Sequence, residues 1–139
     1  MGYIEMVKNL WTLLCERTIR EEGTGKTTIV STLDNAEFKK FPVQLPSFIL
    51  CSRWYSETGG EQAVIRFRHV SPDGKTTDIG DSEHVEVSAG ILQIDFTIVG
   101  YQVQEPGTHE FRVDIETESG SQQGHPSFLF LKQESSGKK

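Results

Sequence analysis

In residues 111–118 apolar and polar side chains alternate without a break. Phe111, Val113, Ile115 and Thr117 fall on one side, Arg112, Asp114, Glu116 and Glu118 on the other. A period of two is that of an extended strand with one face buried and one in water; a helix, with 3.6 residues per turn, scatters such a pattern around its axis. Leu92, Ile94, Phe96 and Ile98 repeat it against Gln93, Asp95 and Thr97. Further strands are predicted at 11–20, 27–33, 47–56, 62–70, 83–88 and 127–132. Turn residues separate them: Ser71-Pro72-Asp73-Gly74 suits a type I turn, Glu105-Pro106-Gly107-Thr108 a type II turn, and Thr58-Gly59-Gly60-Glu61 a hairpin loop. Roughly eight or nine short strands with no long helical pattern mark an all-β protein, an antiparallel two-sheet β-sandwich or a barrel.

With 139 residues the chain fits one domain, predicted over 1–133, and the polar 134–139 segment reads as a flexible tail. Segment 34–46 resists assignment. Pro42 and Pro46 exclude a central strand, so it reads as a crossover between sheets with a short helical turn at 35–39.

Charge and cysteine usage exclude several functions. A formal net charge of −6 and a pI near 5.2 argue against nucleic acid as a partner. Cys15 and Cys51 each sit in an apolar run and form no C-x-x-C pair, so they read as buried thiols packing as small hydrophobes, with a bridge between strands as the alternative. The N-terminal stretch lacks the pattern of a signal peptide, Met6 stands where myristoylation needs Ser or Thr, and no apolar run reaches the roughly 18 residues that cross a bilayer. The expectation is a cytoplasmic protein without a membrane partner.

The stretch EEGTGKTTIV at 21–30 contains Gly25-Lys26-Thr27, the end of a phosphate-binding loop. That motif needs a glycine at position 20, where Arg20 stands, and a helix after the loop, where the β-branched run Thr27-Thr28-Ile29-Val30 favours a strand. A hairpin explains the segment better. Centred on Thr24, it sets Ile19 opposite Ile29, Arg17 opposite Ser31 and Cys15 opposite Leu33.

No catalytic constellation is apparent, and no cofactor is called for. His69, His84, His109 and His125 form no metal-binding spacing. His84 and Glu86 share a strand face, but a solvated strand end is the favoured reading. The acidic stretch 76–83, a candidate calcium loop, reads rather as a solvated loop. One patch stands out. If the Gly59-Gly60 hairpin pairs its two strands, Arg53 and Tyr55 lie beside Arg66 and Arg68, a composition that binds anions or partners. An ordinary solvent face, its arginines paired to nearby carboxylates, is favoured over it.

The runs CERTIREEGTGKTTIVSTLDN and FPVQLPSFILCSRW, the SPDG turn and EPGTHEFRVDI together resemble a family of small uncharacterised bacterial β-sandwich proteins, a domain of unknown function. The likeness covers most of 14–131 and implies an immunoglobulin-like or related sandwich with no known catalytic residues. Its predicted core is Leu13, Cys15, Ile29, Leu33, Phe48, Leu50, Ile65, Phe67, Leu92, Ile94, Phe96, Ile98, Phe111, Val113, Ile115 and Leu129, with Ile98 facing Ile115 across the Pro106-Gly107 turn. Two functions fit: a non-catalytic module that binds a protein partner or a second copy through a sheet face or edge, or a small-ligand or carbohydrate-binding module using Trp11, Trp54 and Tyr101 as stacking rings.

Overall fold

A computed structural model describes residues 7–82 and 84–135. Most of the expected tail, and the first six residues of the N-terminal stretch, lie outside them. The described residues hold no helix. They form β1 (Val7–Arg20), β2 (Thr27–Thr32), β3 (Asn35–Phe38), β4 (Val43–Gln44), β5 (Phe48–Ser56), β6 (Glu61–Val70), β7 (Thr76–Asp81), β8 (Val85–Val87), β9 (Gly90–Ile98), β10 (Gln102–Val103), β11 (Gly107–Thr117), β12 (Gly120–Gln123) and β13 (Ser127–Gln133). The count exceeds the expected eight or nine because β3, β4, β8, β10 and β12 are only two to four residues long.

The strands make three sheets rather than two. One has the order β2-β1-β5-β9, a larger one the order β3-β13-β11-β6-β7 with β12 on β11 and β8 on β6, and β10 and β4 form a two-stranded ribbon. Pairing is antiparallel except for β3, which runs parallel to β13. The 35–39 helical turn is therefore replaced by a strand. Phe130 donates its N–H to the Asp34 carbonyl at 2.8 Å, so ladder bonding to β13 holds this segment extended. The 76–83 loop is largely replaced by β7, which pairs with β6 from Arg66–Asp81 to Val70–Thr76.

The inner faces of the two larger sheets meet in one core. Phe48 and Phe111 touch edge-on with ring centroids 5.6 Å apart, and Phe67 stacks on Phe96 at 4.0 Å. Trp54 is fully buried and satisfies its indole N–H on Ser52 Oγ at 2.7 Å. Burial of such a side chain stabilises the fold by about 1.5–3 kcal/mol. Of the predicted core, Leu13, Ile29, Leu33, Leu92 and Phe96 are only half-buried. In β1 it is Leu14 that faces inward, opposite Leu50. Leu13, Leu14 and Cys15 are consecutive, so the alternation alone could not choose a face there.

The predicted pairing of Ile98 with Ile115 fails. Ile98 lies opposite Phe48 and Ile115 opposite Ile65, because β9 and β11 belong to different sheets. The turn at Pro106-Gly107 leads into β11 from the ribbon strand β10, not from β9. The β1–β2 hairpin forms, and a strand, not a helix, follows Lys26. Its register differs by one residue from the expectation: Ile19 faces Thr28 and Arg17 faces Val30. The loop closes with the Glu21 N–H on the Lys26 carbonyl, and Thr24 Oγ1 donates to Glu21 Oε1, which centres the turn between Gly23 and Thr24.

Candidate functional site

The four residues of the expected patch do not come together. Arg53 and Tyr55 are on β5 in the four-stranded sheet, whereas Arg66 and Arg68 are on β6 in the larger one. β5 and β6 are joined by the Gly59-Gly60 connection but pair with different strands, so the connection crosses between sheets instead of closing a hairpin. In β5 Trp54 points inward and in β6 Phe67 does, which places the two arginine sets on opposite outer surfaces.

On the larger sheet the arginines are bound up in ion pairs. Arg66 bridges Glu116 at 2.7 Å and Asp81 at 3.2 Å. Arg68 lies 3.5 Å from both Asp78 and Asp114, and Arg112 contacts Asp114 at 3.1 Å and Glu110 at 3.2 Å. The hydrogen bond and charge of Arg66 hold the Glu116 carboxyl below its ordinary range, and Glu116 in turn raises the Arg66 guanidinium. This face is a charge ladder with its arginines already matched to carboxylates.

The outer face of the four-stranded sheet differs. Register places Lys8, Tyr55 and Ile91 in one row across it and Trp11, Arg53 and Gln93 in the next, with Leu10 bulged out between them. Leu10, Tyr55 and Ile91 are 46%, 40% and 56% exposed. The Arg53 guanidinium lies 5.6 Å from the Trp11 ring centroid and donates from Nε to Gln93 Oε1 at 2.8 Å. Gln93 passes the chain on, its Nε2 lying 2.9 Å from both Cys51 Sγ and Asp95 Oδ1. Asp95 also accepts from Cys51 Sγ at 3.1 Å and from Thr18 Oγ1 at 3.1 Å. Burial opposes the Asp95 charge, but these hydrogen bonds outweigh it and keep the carboxyl below its usual range. Burial, then the neighbouring Asp95, pushes the Cys51 thiol up to about 12. Burial and Asp95 raise Cys15 as well. Both cysteines are free, buried and protonated at neutral pH, the opposite of a poised nucleophile.

A second constellation was not recognised in the sequence. His69 and His109, 4% and 1% exposed, stand side by side on the inner faces of β6 and β11. His109 Nε2 lies 2.9 Å from the Glu105 carbonyl, which only accepts, so His109 carries its proton on Nε2. Its Nδ1 must then accept from His69 Nε2 at 2.8 Å, and His69 Nδ1 accepts from the Tyr101 hydroxyl at 2.5 Å. One carbonyl thus fixes the direction of the whole chain. Desolvation, then the neighbouring His109, pulls the His69 pKa down to about 4. The His69 ring stacks on Phe111 at 4.7 Å, and the cluster borders a polar pocket of about 300 Å³ that Lys75 and Thr77 also line. The available signal was strand phase: His69 continues the inward series Ala63, Ile65, Phe67, and His109 precedes Phe111 and Val113.

The remaining candidates are dispersed. His84 and Glu86 are both exposed. Among the described residues no group of three His, Cys, Asp or Glu side chains is placed to hold a metal ion. Of the three candidate stacking rings, Trp54 is in the core, Tyr101 is bound to His69, and Trp11 lies beneath Arg53. No helix among the described residues is long and apolar enough to cross a membrane.

Comparison with known proteins gives a family and a fold. The profile of a family of unknown function, DUF6941, matches residues 10–122. No curated protein matches the chain. Among solved structures, the C-terminal domain of wzt superposes with a TM-score of 0.57 at 10% identity, covering 94% of this chain and 75% of that one. A β-glucosidase from Erythrobacter marinus gives a TM-score of 0.43 at 12% identity over 88% of this chain and 15% of its own. The cupredoxin domain of amoB from Nitrosocaldus yellowstonii gives 0.37 at 18% identity over 67% and 60%.

Proposed function

We propose that the chain, which belongs to the DUF6941 family of unknown function, is a non-catalytic interaction module. It is an immunoglobulin-like β-sandwich that binds a protein partner, or a second copy of itself, through the outer face of its four-stranded sheet. The observation that carries this reading is the asymmetry between the two outer faces. One is a ladder of ion pairs in which each arginine lies beside a carboxylate, suited to water. The other offers Tyr55, Ile91 and Leu10 to solvent around an arginine resting on a tryptophan. Tyr, Trp and Arg at the centre of a face are the residues that dominate binding energy where proteins meet. Half of the expected patch, Arg53 and Tyr55, belongs to this face; Arg66 and Arg68 do not.

The non-catalytic part of the reading is supported by how the reactive groups are engaged. The thiols are buried and protonated, and the imidazole nitrogens of His69 and His109 are occupied by each other, Tyr101 and Glu105. Two buried free thiols also suit a reducing compartment such as the cytoplasm.

The test measures mass by light scattering over a wide protein concentration range, and capture of partners on immobilised chain. Wild type is expected to self-associate or to retain a partner. Tyr55→Asp, at an exposed position, should weaken that by roughly 30-fold, the effect of losing a hot spot of about 2 kcal/mol. A monomer that captures nothing, or an association untouched by Tyr55→Asp and Ile91→Asp, removes the proposal.

A further inference from the structure

We propose that a cleft between the end of β1 and β3 is a binding site for a small, uncharged, mostly apolar molecule carrying one hydrogen-bonding end. The cleft lies on the inner side of the four-stranded sheet, behind the outer face discussed above, and the inference is independent of that face.

The cleft follows from the path of the chain. The backbone leaves the four-stranded sheet after Thr32 and joins the larger sheet at Asn35, with only Leu33 and Asp34 between. Leu33 N–H is held by the Leu14 carbonyl and Phe130 N–H by the Asp34 carbonyl, both at 2.8 Å, so this short crossover is pinned to both sheets. Beside it the sheets leave a cavity of about 490 Å³. Sites for small organic ligands fall in the range of about 300–1,000 Å³ and are mostly apolar with a few polar groups.

The lining matches that description. Phe48, Leu129 and Leu131, all core residues under 5% exposed, form the floor. Leu33, Ala36 and Phe38 form the walls. Polar groups occur only at the rim. The charged groups, Glu16 and Arg17, are exposed at the rim, and none stands among the floor and wall residues to pair with an ion. Asn35 and Ser47, also at the rim, have no side-chain hydrogen-bond partner among the described residues, unlike the matched groups of the charge ladder. The geometry therefore selects an apolar ring system or chain seated against Phe48, with a hydroxyl, amide or amine at its outer end.

The test is a fluorescence titration with N-phenyl-1-naphthylamine, which is uncharged and brightens in apolar surroundings, beside its sulfonated relative 1-anilinonaphthalene-8-sulfonate. The neutral dye should show saturable one-site binding with Kd on the order of 100 µM, as a ligand of that size allows, and bind more tightly than the sulfonate. Ala36→Trp fills the cleft and should weaken binding at least roughly tenfold; Ala36→Leu, a smaller change, should act in the same direction if the tryptophan variant does not fold. Tyr55→Asp, on the other side of the sheet, should leave it unchanged. No saturable signal, or binding indifferent to both Ala36 variants, overturns the site. Equal affinity for the sulfonate overturns the assignment of an uncharged ligand.

Discussion

Acidification should unfold this protein through His69 before it does so through the carboxylates. An unfolded histidine titrates near 6.5, whereas burial and His109 hold the folded His69 near 4. Between these values the unfolded chain binds a proton that the folded chain refuses. The contribution of neutral His69 is therefore complete above 6.5 and is lost progressively as pH falls from 6.5 towards 4. At pH 5 the loss is about 1.5 pKa units times 1.36, or about 2 kcal/mol, and near pH 3 it approaches about 3 kcal/mol. For a domain of this size 2 kcal/mol corresponds to a fall in melting temperature of roughly 6 °C. The groups around His69 reinforce the effect. Its partners are the Tyr101 hydroxyl and the His109 ring, and no carboxylate is among its hydrogen-bond partners to accept the new charge. The assay is urea unfolding at pH 8 and pH 5, for the wild type and for His69→Phe. The phenylalanine keeps the stack on Phe111 but strips partners from the Tyr101 hydroxyl and His109 Nδ1, so it should be less stable at pH 8 by about 1–3 kcal/mol. What matters is the difference between the two pH values, which should shrink by about 2 kcal/mol in the variant. Equal pH dependence in both proteins, or a His69 ring that titrates near 6.5 by NMR, would refute the reasoning.

Three further outcomes are expected. Ile115, 1% exposed opposite Ile65, should tolerate Val at about 0.5–1.5 kcal/mol, whereas Ile115→Asp should leave no folded protein in the soluble fraction, as circular dichroism would show. A Cβ added at Gly124 would lie 2.2 Å from the Val113 carbonyl oxygen and 3.2 Å from the Trp54 ring, so Gly124→Ala should cost about 1–3 kcal/mol in denaturant unfolding. With its thiol pushed up to about 12, Cys51 should resist iodoacetamide at pH 8 in the folded protein, and Cys15 with it; both should react once the chain is unfolded, and rapid labelling of native protein would contradict the burial.

The strand class was readable because alternation is a local property. Phe111–Thr117 and Leu92–Ile98 each state which side faces the core: Phe111, Val113, Ile115, Ile94 and Ile98 are buried, while Leu92, Phe96 and Thr117 are half-buried and Asp114, expected in water, is buried beside Arg112. The loss of the phosphate-loop reading was local too, since β-branched residues after Lys26 decide for a strand within a few positions. The sites were harder. A strand's phase says that His69 and His109 point inward, but not that they point at each other, and nothing near either residue announces Tyr101.

Sequence alone therefore determined what the long alternating segments are: extended, with a wet side and a dry side, closed by Gly- and Pro-bearing turns; the strands at 35–38 and 76–81, read as a helical turn and a loop, were made by pairing with β13 and β6. Tertiary structure decided which segments are neighbours. Strand pairing is made by backbone N–H and C=O groups that every residue carries, so the side-chain pattern of β5 is equally compatible with β6, β1 or β9 as a partner. The choice was made by burying Trp54, Phe48 and Phe111 together, which sends β5 and β6 to different sheets. That single decision parted Arg53 and Tyr55 from Arg66 and Arg68. Elsewhere the assembly of the sheets brought Asp114 to Arg68, joined His69 to His109, and opened the cleft beside the crossover at Leu33.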